Sequence, residues 1–99
     1  MTSQHCTANM QSDGNVVVYS NGQPVWASNT NSQGTGPYKL IMQGDGNLVE
    51  YDSTGHPYWA SNTNGKGTGL YNAVMQDDCN FVVYDSTGKP YWASNTSGK

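Results

Sequence analysis

The stretch Gln43-Gly44-Asp45-Gly46-Asn47-Leu48-Val49-Glu50-Tyr51 decides the fold, because the chain writes it three times. An earlier copy runs Gln11-Ser12-Asp13-Gly14-Asn15-Val16-Val17-Val18-Tyr19, and a later one Gln76-Asp77-Asp78-Cys79-Asn80-Phe81-Val82-Val83-Tyr84. Gln, Asp, Asn, Val and Tyr return at every second position while the residues between them drift. A spacing of two places side chains on one face of an extended chain. The repeated object is therefore a surface.

Working outward, the repeat extends beyond the motif. Trp26, Trp59 and Trp92 stand 33 residues apart. Lys39 to Gln43 reads as a strand, Gly44-Asp45-Gly46 as a turn, and Asn47 to Tyr51 as a second strand. Asp52-Ser53-Thr54-Gly55-His56-Pro57 is turn chemistry, and Pro57-Tyr58-Trp59-Ala60 opens a third strand. Gly34-Thr35-Gly36-Pro37 and Gly65-Lys66-Gly67-Thr68-Gly69 exclude helices between the units. This pattern predicts an all-β domain of three repeats, about 1–33, 34–66 and 67–99, with three small antiparallel sheets around a pseudo-threefold axis.

The chain ends together make up about one inter-unit segment, so the chain resembles a circle of three units cut after a Trp strand. The first unit then needs a strand from the carboxy terminus, either its own or that of a second copy. The two cysteines mark the same junction. Cys79 stands where the other units have Gly14 and Gly46, and Cys6 where they have Tyr38 and Tyr71. A Cys6–Cys79 disulfide across the closing junction is expected, with two free buried thiols as the alternative.

Composition excludes several functions. The 99 residues carry a net charge of −3, and only 11% of them are charged. Lys39, Lys66, Lys89 and Lys99 are scattered, so the positive patch that nucleic acid requires is missing. No apolar run approaches the roughly 18–20 residues of a membrane-spanning helix, so no membrane insertion is expected. The first residues lack the positive and apolar regions of a signal peptide. The predicted disulfide nevertheless favours an extracellular or secreted location, with a cytoplasmic one left open. His5 and His56 lack ligand partners at metal spacing, and Asp77 and Asp78 point to opposite faces, a poor arrangement for a glycosidase pair.

The five constant residues have a chemistry in common. Asp accepts, Asn and Gln both donate and accept, Tyr adds a hydroxyl, and Val adds a small apolar patch. That array suits a pyranose, with hydroxyls on its edge and C–H groups on its ring. Asp-Gly and Gly-Asn are also ordinary hairpin dipeptides, but turn chemistry does not account for Gln at the same offset three times. A surface kept constant while core-facing positions drift points to binding.

Gln-x-Asp-x-Asn-x-Val-x-Tyr resembles the mannose-recognition motif of the monocot, or bulb-type, mannose-binding lectins. The Trp-Ala-Ser-Asn-Thr segments at 26–30, 59–63 and 92–96 resemble that family too, and the likeness covers essentially the whole chain. It implies a β-prism II fold of three four-stranded sheets. It also implies that Asp45 and Asn47 hold the axial 2-hydroxyl of mannose, Gln43 the 3-hydroxyl and Tyr51 the 4-hydroxyl, with Val49 against the ring carbons. Asp13, Asn15, Gln11, Tyr19 and Val17 take these roles in the first site, and Asp78, Asn80, Gln76, Tyr84 and Val82 in the third. The family needs no metal or other cofactor.

These readings converge on a non-enzymatic lectin for mannose and high-mannose glycans or glycoproteins, with up to three equivalent sites. Multivalency, together with the incomplete first sheet, favours a homodimer exchanging carboxy-terminal strands around Trp92. The competing reading is a structural or toxin-like prism that binds protein or membrane, with vestigial sugar sites. Glu50 breaks the pattern by standing where the other units have Val18 and Val83. A lone buried carboxylate is costly, so Glu50 is expected to reach solvent, an interface or a donor, and to disturb the second site indirectly.

Overall fold

Hydrophobic and β-branched runs alternate with Gly, Asn and Asp turns throughout, and the chain folds accordingly into strands alone. The computed structural model describes residues 2, 3 and 5–99. Among the described residues, ten strands form three antiparallel sheets. The first sheet contains β1 (Thr2–Ser3), β2 (Cys6–Met10), β3 (Val16–Ser20) and β4 (Gln23–Ala27), paired in that order. The second contains β5 (Lys39–Met42), β6 (Leu48–Tyr51) and β7 (Pro57–Ala60). The third contains β8 (Asn72–Met75), β9 (Phe81–Tyr84) and β10 (Pro90–Ala93).

The middle strand of each sheet carries the second half of the motif, and its alternate residues face inward. Val16, Val18, Leu48, Glu50, Phe81 and Val83 are all fully buried. Each middle strand has a register shift against the Trp strand beside it, between Val18 and Tyr19 in the first sheet and between Glu50 and Tyr51 in the second. Where the sheets meet, Trp26, Trp59 and Trp92 form a closed triangle, with ring centroids 5.1–5.5 Å apart and planes inclined by 71–72°. Edge-to-face packing of this kind matches the positive rim of one ring to the negative face of the next. The tryptophans are partly buried and packed against the core, not exposed stacking platforms.

Only one of the three sheets has four strands among the described residues, against the four expected in each. All three units share one departure from the sheet just after the Trp strand. Ser28, Ser61 and Ser94 still donate backbone bonds to Val16, Leu48 and Phe81. Asn29, Asn62 and Asn95 then turn left-handed, with φ of 61°, 59° and 59°, a conformation Asn tolerates better than most residues. The chain leaves the sheet there and wraps the motif turn instead: Ser32 N–H donates to Asp13 O, Gly65 to Asp45 O and Gly98 to Asp78 O.

The motif turns are sealed in two different ways. The ring of Tyr38 lies against Gly14, where an added Cβ would come within 3.0 Å of it, and the ring of Tyr71 lies against Gly46 at 2.9 Å. At the third turn the place of the ring on glycine is taken by the disulfide Cys6–Cys79. Cys79 keeps the left-handed backbone of its counterparts, with φ of 72° against 92° and 94° for Gly14 and Gly46. His5 Nε2 lies 3.5 Å from Cys79 Sγ, but the bond between the two sulfurs removes the thiolates a metal would need. The first and third units are further tied by Ser20 Oγ, which donates to the Lys99 carbonyl at 2.7 Å. The carboxy-terminal Trp strand, β10, pairs with β9 of its own chain.

Candidate binding sites

Each motif starts at the end of one strand, crosses a tight turn and ends on the next strand, so its five constant residues converge on the outer face of one sheet. In the second unit Gln43 N–H donates to Asn47 O at 2.9 Å, and Gly46 N–H to Gln43 O at 3.1 Å, closing the turn. The first and third units repeat both bonds, with Cys79 in the glycine position of the third. Within each turn the Asp side chain caps the backbone two residues on. Asp13 Oδ1, Asp45 Oδ1 and Asp78 Oδ1 accept from the N–H of Asn15, Asn47 and Asn80, all at 3.0 Å. This is the Asx-turn bond that suits Asp to such positions.

The Asn side chain is anchored by residues outside the motif. Asn15 Oδ1 accepts from Ser28 Oγ at 3.1 Å and Thr30 N–H at 3.3 Å. Asn47 is held likewise by Ser61 and Thr63, and Asn80 by Ser94 and Thr96. With the amide oxygen so occupied, the amide nitrogen could serve as a donor to a ligand, two residues along the chain from an Asp whose Oδ1 is held by the turn. A ligand hydroxyl can donate to that carboxylate and accept from that amide. Gln and Tyr form the opposite side: Gln11 Nε2 donates to Tyr19 Oη, Gln43 to Tyr51 and Gln76 to Tyr84. Val17, Val49 and Val82 lie between, 3–4% exposed, as the floor.

All fifteen residues singled out in the sequence are thus brought together as three sets of five. Burial agrees position by position: in every set the Asp is exposed, the Gln, Asn and Tyr half-buried, and the Val buried. The supporting Ser and Thr of each unit were given no role from sequence. Their signal is the repeated Ser-Asn-Thr after each Trp, whose Ser hydroxyl and Thr N–H hold the Asn side chain in every unit.

Glu50 reaches one of its expected partners, a donor, but the donor belongs to the first unit. It is fully buried, and it reaches a hydroxyl partner, Thr30, whose Oγ1 lies 2.8 Å from Glu50 Oε1. Thr30 belongs to the support of the first site, so the second site's strand contacts the first site's scaffold. The same Thr30 hydroxyl stands 2.6 Å from the Gly14 carbonyl, and its single proton cannot serve both. Thr63 and Thr96 make the corresponding bonds to Gly46 O and Cys79 O with no carboxyl nearby. By that parallel, the Thr30 proton goes chiefly to Gly14 O, which leaves Glu50 Oε1 with a shared donor and Oε2 with none. Burial raises the Glu50 pKa above 4.5, and the negative Asp13 raises it further, against the lowering effect of the Thr30 bond.

No family model matches the chain. Solved structures do. A structure described as a monomeric monocot mannose-binding lectin from Gastrodia elata superposes with a TM-score of 0.90 at 42% identity, over 98% of this chain and 86% of that one. The chain belongs to the monocot mannose-binding lectin family. Its fold is accordingly β-prism II, and its relatives are lectins, not enzymes. The snowdrop (Galanthus nivalis) mannose-specific agglutinin, solved with methyl-α-D-mannoside, gives a TM-score of 0.79 at 38% identity, over 97% of this chain and 84% of that one. Among curated proteins, a mannose-specific lectin of Aloe arborescens is 44% identical over 46 residues, 46% of this chain and 42% of that protein. Curculin-2 of Molineria latifolia is 40% identical over 52 residues, 52% of this chain and 32% of that protein. The matched stretches thus span less than half of these two relatives.

Proposed function

We propose that the chain is a carbohydrate-binding lectin that holds mannose, and the mannose ends of high-mannose glycans, at all three motif sites. The observation that carries this reading is the threefold identity of the donor–acceptor pair, an Asn amide oriented by Ser and Thr beside an Asp carboxylate oriented by its own turn. Asp45 and Asn47 would bind the axial 2-hydroxyl that separates mannose from glucose, with Gln43 on the 3-hydroxyl, Tyr51 on the 4-hydroxyl and Val49 under the ring. Asp13, Asn15, Gln11, Tyr19 and Val17, and Asp78, Asn80, Gln76, Tyr84 and Val82, would do the same at their sites. A site that satisfies hydroxyls rejects sugars lacking them in the right place, because its own polar groups are then left unpaired. A disulfide-closed lectin of this kind suits an extracellular or secreted setting.

Each site is shallow, so single-site affinity should be about millimolar, with multivalency adding factors of roughly 10²–10⁴ on glycan-coated surfaces. Titration with methyl α-mannoside is expected to give saturable binding, with glucoside far weaker. Equal indifference to both at tens of millimolar would replace this reading with a protein-binding prism. In a chain whose other two sites are disabled, Asp45→Ala should weaken methyl mannoside by about 1.5–3 kcal/mol. Agglutination should suffer more than single-site binding when two sites are lost.

We read the three sites as working on one chain. Within one chain β10 pairs with β9 and the segment after it is tied to Asp78, which supports this reading; the homodimer exchanging carboxy-terminal strands around Trp92 is the alternative that sizing tests. Sizing is expected to give a one-chain mass. A two-chain mass that disappears on truncation after Tyr84 would restore the exchanged homodimer.

A further inference from the structure

The three sites share five contacts but differ in what stands beside them. Strand pairing sets Asn9 opposite Val17, Ile41 opposite Val49 and Val74 opposite Val82. Directly opposed residues in an antiparallel pair project from the same face, with Cβ atoms about 4.5–5.5 Å apart. Each of these residues therefore borders a Val floor on its outer side. On the inner side the neighbour is Ala in all three sheets, Ala27, Ala60 and Ala93.

Ile41 is 39% exposed and Val74 38%, and they are two of the three large hydrophobic residues exposed among those described. Single exposed apolar residues need no explanation, but these two hold the same repeat position. Their inward neighbours Leu40 and Ala73 pack on the core, so core packing does not call for Ile41 and Val74. At the first site the same position is Asn9, also exposed.

We propose that Ile41 and Val74 are specificity residues that receive the C–H face of a second, linked pyranose, so that sites two and three favour mannose oligosaccharides and site one does not. The proposal rests on the mannose reading of the primary sites. Its occupant follows from continuity: the apolar side chain adjoins the floor under the first sugar, and the nearest group available to cover it is the sugar attached to that one. Pyranose rings offer an apolar C–H face, and covering part of an aliphatic side chain adds a modest increment to affinity.

The test uses the full chain with two sites disabled by Asp→Ala. With Asp13 and Asp78 replaced, site two is expected to bind at least one methyl α-mannobioside, among the 1→2, 1→3 and 1→6 linkages, roughly 3–10-fold more tightly than methyl α-mannoside. Ile41→Asn, which copies the side chain the fold already accepts at position 9, should bring that ratio close to one while leaving methyl α-mannoside affinity unchanged. With Asp45 and Asp78 replaced, site one should show a ratio close to one, and Asn9→Ile should raise it. A disaccharide preference that survives Ile41→Asn, or no preference at site two for any linkage, overturns the inference while the mannose reading stands. Loss of methyl α-mannoside binding at every site of the unmodified chain overturns both.

Discussion

Replacing Cys6 and Cys79 together by Ser should lower the unfolding free energy by about 4 kcal/mol, the chain-entropy value for a loop of this length. The residues are 73 apart, so the bond restricts most of the unfolded chain. Loss of that size approaches the whole stability of many domains, and urea titration of the oxidised protein and the variant measures it. The fold supplies a sharper companion experiment. Two of the three motif turns are sealed without covalent help, by Tyr38 on Gly14 and Tyr71 on Gly46. Cys6→Tyr with Cys79→Gly writes the same joint into the third turn. It should recover about 1–2 kcal/mol relative to the double Ser variant, from burial of the ring and relief of the left-handed Cys79 backbone. Equal stability of the two double variants would mean that the disulfide is not a substitute for the Tyr–Gly joint.

That equivalence was half legible in the sequence. The two departures from the repeat were both cysteine, which pointed to their pairing, and alignment of the units set Cys6 against Tyr38 and Tyr71. The physical content, that a ring covering a glycine and a disulfide are alternative closures of one turn, needed coordinates. The strands were legible for a simpler reason. Period two over Asn47 to Tyr51 and a 33-residue spacing of Trp leave few architectures in which every motif faces out and every Trp faces in.

Two features lay outside that reasoning. The departure of the chain from the sheet after each Trp strand goes with positive φ at Asn29, Asn62 and Asn95, and Ser-Asn-Thr reads equally well as a continued strand. The support of the binding Asn by Ser28 and Thr30 spans 13 and 15 residues, and a hydroxyl carries no sequence mark of its target. The candidate sites were therefore legible as lists of residues, while the groups that orient them were not. The location of Glu50's partner was hidden for the same reason: Thr30 precedes it by 20 residues, in another unit.

Glu50→Val should stabilise the protein by about 2–4 kcal/mol at pH 7, the cost of burying a carboxyl with one of its oxygens unpartnered. Glu50 Oε2 has no hydrogen-bond partner, and Val18 and Val83 fill the corresponding positions completely buried. The substitution orphans nothing, since Thr63 and Thr96 keep their carbonyl bonds without a carboxyl beside them. The effect has a defined pH dependence. Burial holds the folded-state pKa of Glu50 above its ordinary 4.5, so the unfolded chain releases this proton first. Wild-type stability from this group is full below about 4.5 and falls as pH rises from there through the folded pKa. The advantage of the Val variant should therefore grow from pH 4 to pH 7. On the acid side both proteins share a different limit. The carboxyls of Asp52 and Asp85 are held well below their ordinary 3.8, chiefly by the hydroxyls of Thr54 and Thr87. Their contribution is present above 3.8 and disappears as pH falls. Thermal melts of wild type and Glu50→Val across pH 3–8 should lie closest at the acid end and separate toward neutrality. A constant separation would show that Glu50 takes up no proton on folding, and a less stable Val variant would show that the Glu50–Thr30 contact holds the first and second units together.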